Sequence, residues 1–396
     1  MNFKFWLQPI ILRLLLLFLV LGLAGASALP VLSTHLATNL NIQPLLIGIF
    51  FGTNTLAGIG VSQWLAKRSD AGLSRLKILY LSNGLSAIGS MLFGHLQWFP
   101  AIMVTGMVWF GFSSTAAPQL FALAREQIDD DQAALVQSVL RAAVSISWII
   151  GPPLAYLVFE EIGFRNLMIF TAVLYGLALL LLPGLKDARL AVQAPSFSTV
   201  DFRITGLILV LSAIFAANTM YLVYMPLYVR NTLGLISITP GILMGVAAGL
   251  EIPIMIGSGA HAHHWPLFAP LKVASFCGVI FYSGILWFEN FTILLVLQIF
   301  NAALIGLAAG LGISIFQSLM KERLGMASTL YTNAIRIGSL AGSALGGVIA
   351  QWGGFDLVFL TCALLAAVAL GSVYYIAVME KKHMPNPQIK FRPSKR

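Results

Sequence analysis

Residues 14–66 contain no Asp, Glu, Lys or Arg, and long uncharged stretches recur to the end of the chain. A bilayer core takes roughly 20 apolar residues for each spanning helix. Hydrophobic residues make up 59% of the chain and charged residues 9%, which excludes a large soluble fold. Only helices and closed barrels satisfy backbone polar groups in hydrocarbon, and these stretches alternate too little for barrel strands. The sequence therefore predicts an all-α integral membrane protein.

Charged and turn-rich segments divide the chain into twelve predicted spans. Their bounds are 7–36, 43–66, 76–96, 99–124, 133–159, 164–183, 204–229, 238–260, 267–288, 291–319, 325–352 and 355–379. With a cytoplasmic N-terminus, the outer loops keep only Arg165 and Arg230 as basic residues. Basic residues mark the cytoplasmic side of a membrane protein. Both termini are therefore predicted to be cytoplasmic, as an even number of spans requires.

A cleaved signal peptide is the competing interpretation of the N-terminus. Lys4 and Arg13 precede the apolar run 14–23, and the small residues 26–28 follow it. Cleavage would leave eleven spans and place the basic tail outside, against the positive-inside bias. A retained first helix is favoured.

Charge and cysteine content exclude several other classes. The net charge of +9 is spread over short loops and the tail rather than one basic domain, so no nucleic-acid partner is expected. Cys277 and Cys362 both fall within predicted spans. They provide neither a disulfide framework nor a metal-ligand spacing. No cofactor is expected.

The two halves of the chain repeat one another. Arg141 precedes Gly151 by ten residues, and Arg336 precedes Gly346 by ten. Gly48 and Gly52 correspond in the same way to Gly241 and Gly245. The predicted organisation is a six-helix half at 1–185, a cytoplasmic linker at 186–203, a six-helix half at 204–380 and a basic cytoplasmic tail at 381–396. Two parallel six-helix repeats are the plan of the major facilitator superfamily, with substrate near the midplane.

Five segments carry a more specific resemblance. They are Ala57–Asp70, Pro118–Arg125, Gly151–Ala155, Asn218–Tyr221 and Ala247–Pro253. Together they resemble the bacterial sugar efflux transporters of the major facilitator superfamily, over nearly the whole chain. The resemblance implies a proton-linked exporter of small sugars or glycosides in the bacterial inner membrane. It implies a sugar, protons and the lipid bilayer as partners, and no enzymatic activity.

Four charged residues are candidates for proton coupling or gating. The stretch that ends at Asp70 resembles the superfamily's loop 2-3 signature, and Arg125 ends a matching segment of span 4. Arg141 and Glu251 are predicted at similar depth in spans 5 and 8, which adjoin in this fold. Ionisable groups within a membrane are costly and point to function. An Arg141–Glu251 pair could hold the halves together, or Glu251 could take the coupling proton.

Neutral polar and aromatic residues supply the candidate sugar site. Sugars require many neutral donors and acceptors together with an apolar face for stacking. The candidate residues are Asn54, Gln119, Trp148, Asn218, Tyr221, Tyr224, Gln298, Asn301, Asn333 and Arg336, with His35 and Gln317 as further cavity candidates. Each amide alone is equally consistent with a helix-to-helix hydrogen bond.

Two positions depart from the family pattern. Tyr224 stands before Met225-Pro226, where family members carry an Asp, so proton coupling through that site is not expected. The loop between spans 8 and 9 contains His261, His263 and His264 in place of a basic latch. These histidines could bind a metal or sense pH, and a solvated loop is the simpler interpretation.

The sequence is also compatible with two other functions. A multidrug efflux transporter shares the fold and would line its cavity with more aromatic and fewer amide groups. A polytopic membrane enzyme would need clustered carboxylates or a metal near the interface. The one dense acidic cluster, at residues 129–131, starts a helix, where negative charge is favourable.

Overall fold

The computed structural model describes residues 6–128, 130–186, 202–261, 265–320 and 323–383. In these ranges, ten helical stretches are long and apolar enough to cross a membrane. They are α1 (Pro9–Thr38), α2 (Pro44–Asp70), α3 (Arg75–Phe93), α4 (Phe99–Glu126), α5 (Asp130–Leu181), α6 (Phe202–Asn231), α7 (Thr239–His261), α8 (Ala269–Trp287), α9 (Phe291–Leu319) and α10 (Leu324–His383). The chain is a multi-pass helical membrane protein. Most of the predicted linker and of the basic tail lies outside the described residues.

Local signals set several helix starts. Pro9 and Pro270 each occupy the first turn of a helix, where a missing N–H removes no intrahelical bond. Ser74 Oγ accepts a hydrogen bond from Lys77 N at 3.2 Å, and Asn290 Oδ1 accepts one from Thr292 N at 2.8 Å. These side chains satisfy backbone donors that the first helical turn leaves unpaired. The observed starts therefore fall within a few residues of the predicted ones.

Two helical stretches are too long for a single straight crossing. With 52 residues, α5 would extend about 78 Å, against a hydrocarbon core of about 30 Å. Non-helical backbone interrupts α5 at Gly163 (φ 85°) and α10 at Gly354 (φ 74°). Glycine adopts this left-handed region without the steric cost that a Cβ imposes. Each stretch therefore consists of two helices, joined where the sequence predicted a break between spans.

The chain divides into two compact units. The first contains residues 1–42, 50–193 and 240–245, and the second contains 43–49, 194–239 and 246–396. In the first unit α1 packs on α5, and α3 packs on both α4 and α5. In the second unit α6 packs on α10, and α8 packs on both α9 and α10. The two units therefore share one packing pattern, displaced by five elements along the chain.

Glycines permit very close helix crossings in both units. In the first unit, a Cβ on Gly241 would lie 2.8 Å from the Pro152 carbonyl oxygen. In the second, a Cβ on Gly48 would lie 2.7 Å from Gly347 Cα. Real Cβ atoms do not approach backbone so closely, so these crossings require glycine. The repeat-related glycines of the sequence are thus contact points within the two units.

Candidate functional site

The first unit contains a cavity of about 370 Å³ between α1, α4 and α5. The predicted stacking residue Trp148 lies in its wall, together with Trp109 and Phe110 of α4. Gly22 and Gly25 of α1 also line it. This volume falls within the range of small-molecule pockets.

Few polar groups enter this cavity, and they are hydroxyls rather than amides. Ser113 and Ser114 of α4 line it, and Tyr175 closes it on the α5 side. Ser114 Oγ donates to the carbonyl oxygens of Gly58 and Gly111, at 3.0 and 2.9 Å. The wall therefore offers aromatic faces and a small number of hydroxyl oxygens. Such a surface suits the apolar face of a small ring.

The second unit buries an amide and hydroxyl cluster between α6 and α9. Gln298 Oε1 accepts hydrogen bonds from Tyr221 Oη at 3.3 Å and from Asn301 Nδ2 at 3.0 Å. Gln298 Nε2 donates to the Leu294 carbonyl oxygen at 3.1 Å. The Gln298 carbonyl oxygen is therefore shared by two donors. Asn301 Oδ1 is buried and has no hydrogen-bond partner in the described part of the chain.

The two other residues of α6 that were predicted to bind sugar differ in exposure. Tyr224 is fully buried, and its hydroxyl has no hydrogen-bond partner among the described residues. Its ring fills the space beside Gly346. A Cβ added at Gly346 would lie 2.4 Å from the ring. Asn218, one turn before Tyr221, is half-buried. Asn218 is thus more accessible to a bound molecule than either tyrosine.

Asn54 of α2 is buried without a partner. Its side chain faces Gly106 of α4. A Cβ added at Gly106 would lie 3.1 Å from either amide atom of Asn54. Both amide atoms lack a hydrogen-bond partner within the described ranges. The same holds for Asn83 of α3, which stands between Ser82 and Gly84 and was not among the predicted site residues. A buried amide without a partner is unfavourable unless water or a ligand satisfies it.

Gln119 belongs to a different cluster, at the ends of α2 and α4. Arg75 Nε donates to Glu126 Oε1 at 2.8 Å, and Arg75 Nη1 donates to Gln119 Oε1 at 3.0 Å and to Ser69 Oγ at 3.1 Å. Gln119 is 4% exposed. A single guanidinium thus joins three elements of the first unit. Sequence reasoning placed Gln119 in a sugar cavity and did not single out Arg75 or Glu126.

The predicted coupling residues lie in both units. Arg141 is exposed, and its guanidinium carbon lies 5.7 Å from the centroid of the Phe121 ring in the first unit. Glu251 is half-buried in α7 of the second unit. Their pairing stays a prediction. Arg125 lies in the last turn of α4, and Asp70 ends α2, with its side chain outside the described part.

The other candidates of the second unit lie in α7, α9 and α10. Asn333 and Arg336 are half-buried in α10, one turn apart. Gln317 Nε2 donates to Ser328 Oγ at 3.2 Å. His261 ends α7, and its Nδ1 lies 2.9 Å from the Gly257 carbonyl oxygen, whereas His263 and His264 lie outside the described residues. Among the described residues, no group of three His, Cys, Asp or Glu side chains could hold a metal ion.

Comparison with known proteins identifies the family. Residues 14–321 and 272–395 match the profile of the Major Facilitator Superfamily. Sugar efflux transporter A of Escherichia coli is 37% identical over 360 residues, covering 89% of this chain and 92% of that protein. Sugar efflux transporter B of Salmonella typhimurium is 36% identical, covering 85% and 88%. The chain belongs to the sugar efflux transporter family of the major facilitator superfamily.

Solved structures agree with this family at the level of the fold. The crystal structure of the nucleoside transporter NupG is similar with a TM-score of 0.76 at 12% identity, covering 94% of this chain and 99% of that one. A bacterial homologue of the iron transporter ferroportin, in an inward-facing state, gives a TM-score of 0.75 at 16% identity and covers 93% and 98%. Identities this low show a shared fold and nothing about substrate.

Proposed function

We propose that this member of the sugar efflux transporter family exports small sugars or glycosides by alternating access. The observation that carries the proposal is the similarity to sugar efflux transporters A and C of Escherichia coli, at 37% and 35% identity over about nine-tenths of the chain. The cavity beside Trp148 supports the proposal, because its aromatic wall suits the apolar face of a sugar ring.

In the proposed architecture, the ten helical stretches make twelve crossings. Gly163 and Gly354 divide the two longest stretches, and a turn at each glycine would return the chain through the bilayer. An even number of crossings, with the basic loops inside, gives two cytoplasmic termini in the bacterial inner membrane. The linker at 186–203 then separates six-helix halves at 1–185 and 204–380.

For the sugar site, we distinguish residues that contact substrate from residues that position them. Trp148, Asn218, Asn333 and Arg336 are half-buried, and we propose that they contact the substrate. Tyr221, Gln298 and Asn301 already bond to one another, so their proposed contribution is to hold Asn301 Oδ1 as an acceptor. Asn54, Gln119, Tyr224 and Asn301 are all buried and would contact substrate only after local rearrangement.

For coupling, we propose proton antiport through Glu251. A carboxyl group in a desolvated helix is stable when protonated, and it is stable when ionised if a cation such as Arg141 approaches. Alternation between these two forms would link proton entry to sugar exit. Asp70 ends the stretch that resembles the loop 2-3 signature, and Arg125 ends the matching segment of span 4. Both residues are proposed to act on the cytoplasmic gate.

Counterflow in proteoliposomes tests the proposed function. Purified protein should exchange a radiolabelled glycoside from a panel of sugars, and it should fail to exchange a lipophilic cation. Trp148→Ala should lower sugar exchange by roughly fivefold to tenfold, in line with the loss of a stacking contact worth about 1 to 1.4 kcal/mol. Trp287→Ala, at a tryptophan that is 81% exposed, is the control and should leave exchange unchanged.

Multidrug efflux is the second candidate function, and one observation favours it. The wall of the first-unit cavity is almost entirely apolar, with Trp109, Phe110 and Trp148 as its large side chains. An apolar aromatic wall also suits lipophilic cations. Exchange of the cation without exchange of any sugar in the same vesicles would move the assignment to drug efflux.

A further inference from the structure

His35 lies one turn before the end of α1 and stacks on Phe164. The ring centroids are 3.5 Å apart, and the ring planes differ by 7°. Phe159 approaches the same imidazole edge-on at 6.5 Å. Phe164 directly follows Gly163, the glycine with positive φ that interrupts α5. The imidazole thus connects the end of α1 to the break in α5.

The second unit contains the same turn with a different ring. His35 and Tyr228 each accept hydrogen bonds at the carbonyl oxygen from the backbone N–H groups four and five residues later. Six residues after each ring stands a residue of positive φ, Asn41 at 52° and Gly234 at 61°. The two rings therefore occupy equivalent positions in the repeat, 193 residues apart.

The equivalent rings differ in how their polar atoms are satisfied. The Tyr228 ring packs on Phe359 at 4.9 Å, and its hydroxyl donates to the Ile285 carbonyl oxygen at 3.3 Å. His35 is 8% exposed, and its Nδ1 has no hydrogen-bond partner in the described part of the chain. The first unit therefore holds an ionisable ring with an unsatisfied nitrogen where the second unit holds a neutral, satisfied phenol.

Protonation changes the requirements of this ring. A neutral imidazole has one donor and one acceptor nitrogen, whereas both nitrogens of an imidazolium are donors. A buried cation whose donor lacks an acceptor is unfavourable. Stacking on Phe164 offers some cation–π attraction, yet a ring face accepts no strong hydrogen bond from an in-plane N–H. The stacked position therefore suits the neutral ring, and the protonated ring gains by turning towards water at the helix end.

No charged group is buried beside the imidazole to compensate its charge in the described part of the molecule. The ionisable groups on the neighbouring elements are Tyr156, Glu160, Glu161 and Arg165 of α5 and His95 after α3. Tyr156 Oη donates to the Pro30 carbonyl oxygen at 2.9 Å, and the other four side chains are exposed.

We propose that His35 is a proton-binding site, and that protonation releases the end of α1 from the break at Gly163. The site belongs to the first unit alone, because the second unit has Tyr228 at this position. This proposal does not depend on the identity of the transported molecule.

Distances between spin labels on the purified full-length protein test the proposal. Asn39→Cys and Arg165→Cys place labels on exposed residues on either side of the contact, after Cys277→Ala and Cys362→Ala remove the native thiols. Electron–electron distances are measured from about pH 8 to about pH 4.5. A new, longer distance should grow as the pH falls, with its ratio to the original distance changing by up to about tenfold per pH unit, as one proton requires.

Two variants distinguish His35 from the other histidines. His35→Phe keeps a stacking ring and removes the proton site, so the acid-induced distance should disappear. Phe164→Ala removes the stack, so the longer distance should already be present at about pH 8. The proposal is overturned if His35→Phe retains the acid-induced change, if the unmodified site shows no change, or if Phe164→Ala keeps the short distance throughout.

Discussion

Arg75 Nε lies 2.8 Å from Glu126 Oε1, and this ion pair joins the start of α3 to the end of α4. The Glu126 side chain is 3% exposed and that of Arg75 is 16% exposed. Loss of one partner of a buried pair leaves the other charge without compensation. The same guanidinium also holds Gln119 and Ser69, so one residue fixes this corner of the first unit.

Arg75→Ala should therefore lower the free energy of unfolding by about 3 kcal/mol, which is the lower end of the range for a broken buried ion pair. Glu126→Gln should cost less, because the amide oxygen still accepts from Arg75. Unfolding of the detergent-solubilised protein by denaturant, followed by far-UV circular dichroism, measures both. In a double-mutant cycle the two losses should not add; strict additivity would show that the pair contributes no coupling. Lys77→Ala, at an exposed residue of the same helix, is the control.

Gly48→Ala should disturb the second unit, because its Cβ would lie 2.7 Å from both Gly347 Cα and the Ser343 carbonyl oxygen. Backbone atoms cannot yield as a flexible side chain can, and overpacking of this kind costs about 1 to 3 kcal/mol. Gly60→Ala in the same helix meets no atom within 4 Å and should be neutral or slightly stabilising. Thermal unfolding of the three proteins compares them. Equal midpoints for the two variants would contradict the tight crossing.

Gln298→Leu should destabilise the second unit more than Tyr221→Phe does. The leucine leaves two buried donors, on Tyr221 and Asn301, without their acceptor, whereas the phenylalanine removes one donor and leaves Gln298 bonded to Asn301. Each unsatisfied buried group costs about 1 to 3 kcal/mol. Tyr375→Phe, at a tyrosine that is 60% exposed, is the control. A larger loss in Tyr221→Phe than in Gln298→Leu would contradict the central position of Gln298.

Glu251→Gln should abolish proton-driven sugar efflux and leave energy-independent sugar exchange measurable. The amide cannot bind and release a proton but keeps the size and polarity of the protonated carboxyl group. Exchange and pH-driven transport are measured in the same proteoliposomes. If the variant still concentrates sugar in response to an imposed pH difference, Glu251 does not carry the coupling proton.

Arg141→Ala and Glu251→Ala should each impair folding or transport, and the double variant should be less harmful than the sum of the two. The expectation follows from their opposite charges and predicted equal depth, and a broken pair would cost roughly 3 to 5 kcal/mol. Additive effects in the double-mutant cycle would argue against contact between them.

Several features of the fold could be predicted from the sequence because they depend on local chemistry. An uncharged stretch such as 14–66, which alternates too little for barrel strands, forms helices within a bilayer. Gly163 and Gly354 lie in the predicted breaks between spans, at 160–163 and 353–354, and the backbone there takes conformations that favour glycine. The pairing of Gly48 with Gly241 by the repeat spacing also marked positions of close helix contact.

The partners of polar side chains depended on tertiary structure. Residues that are distant in the chain, such as Tyr221 and Gln298, bond only because α6 and α9 adjoin with particular rotations about their axes. The sequence pattern placed Gln119 among the sugar-binding candidates, whereas the packing of α2, α3 and α4 surrounds it with Arg75 and Ser69. The sequence by itself therefore determined where helices form and break, because backbone hydrogen bonding and hydrophobicity act locally. Tertiary structure alone decided which polar groups meet, because a rotation of about 100° per residue turns each side chain towards a different neighbour.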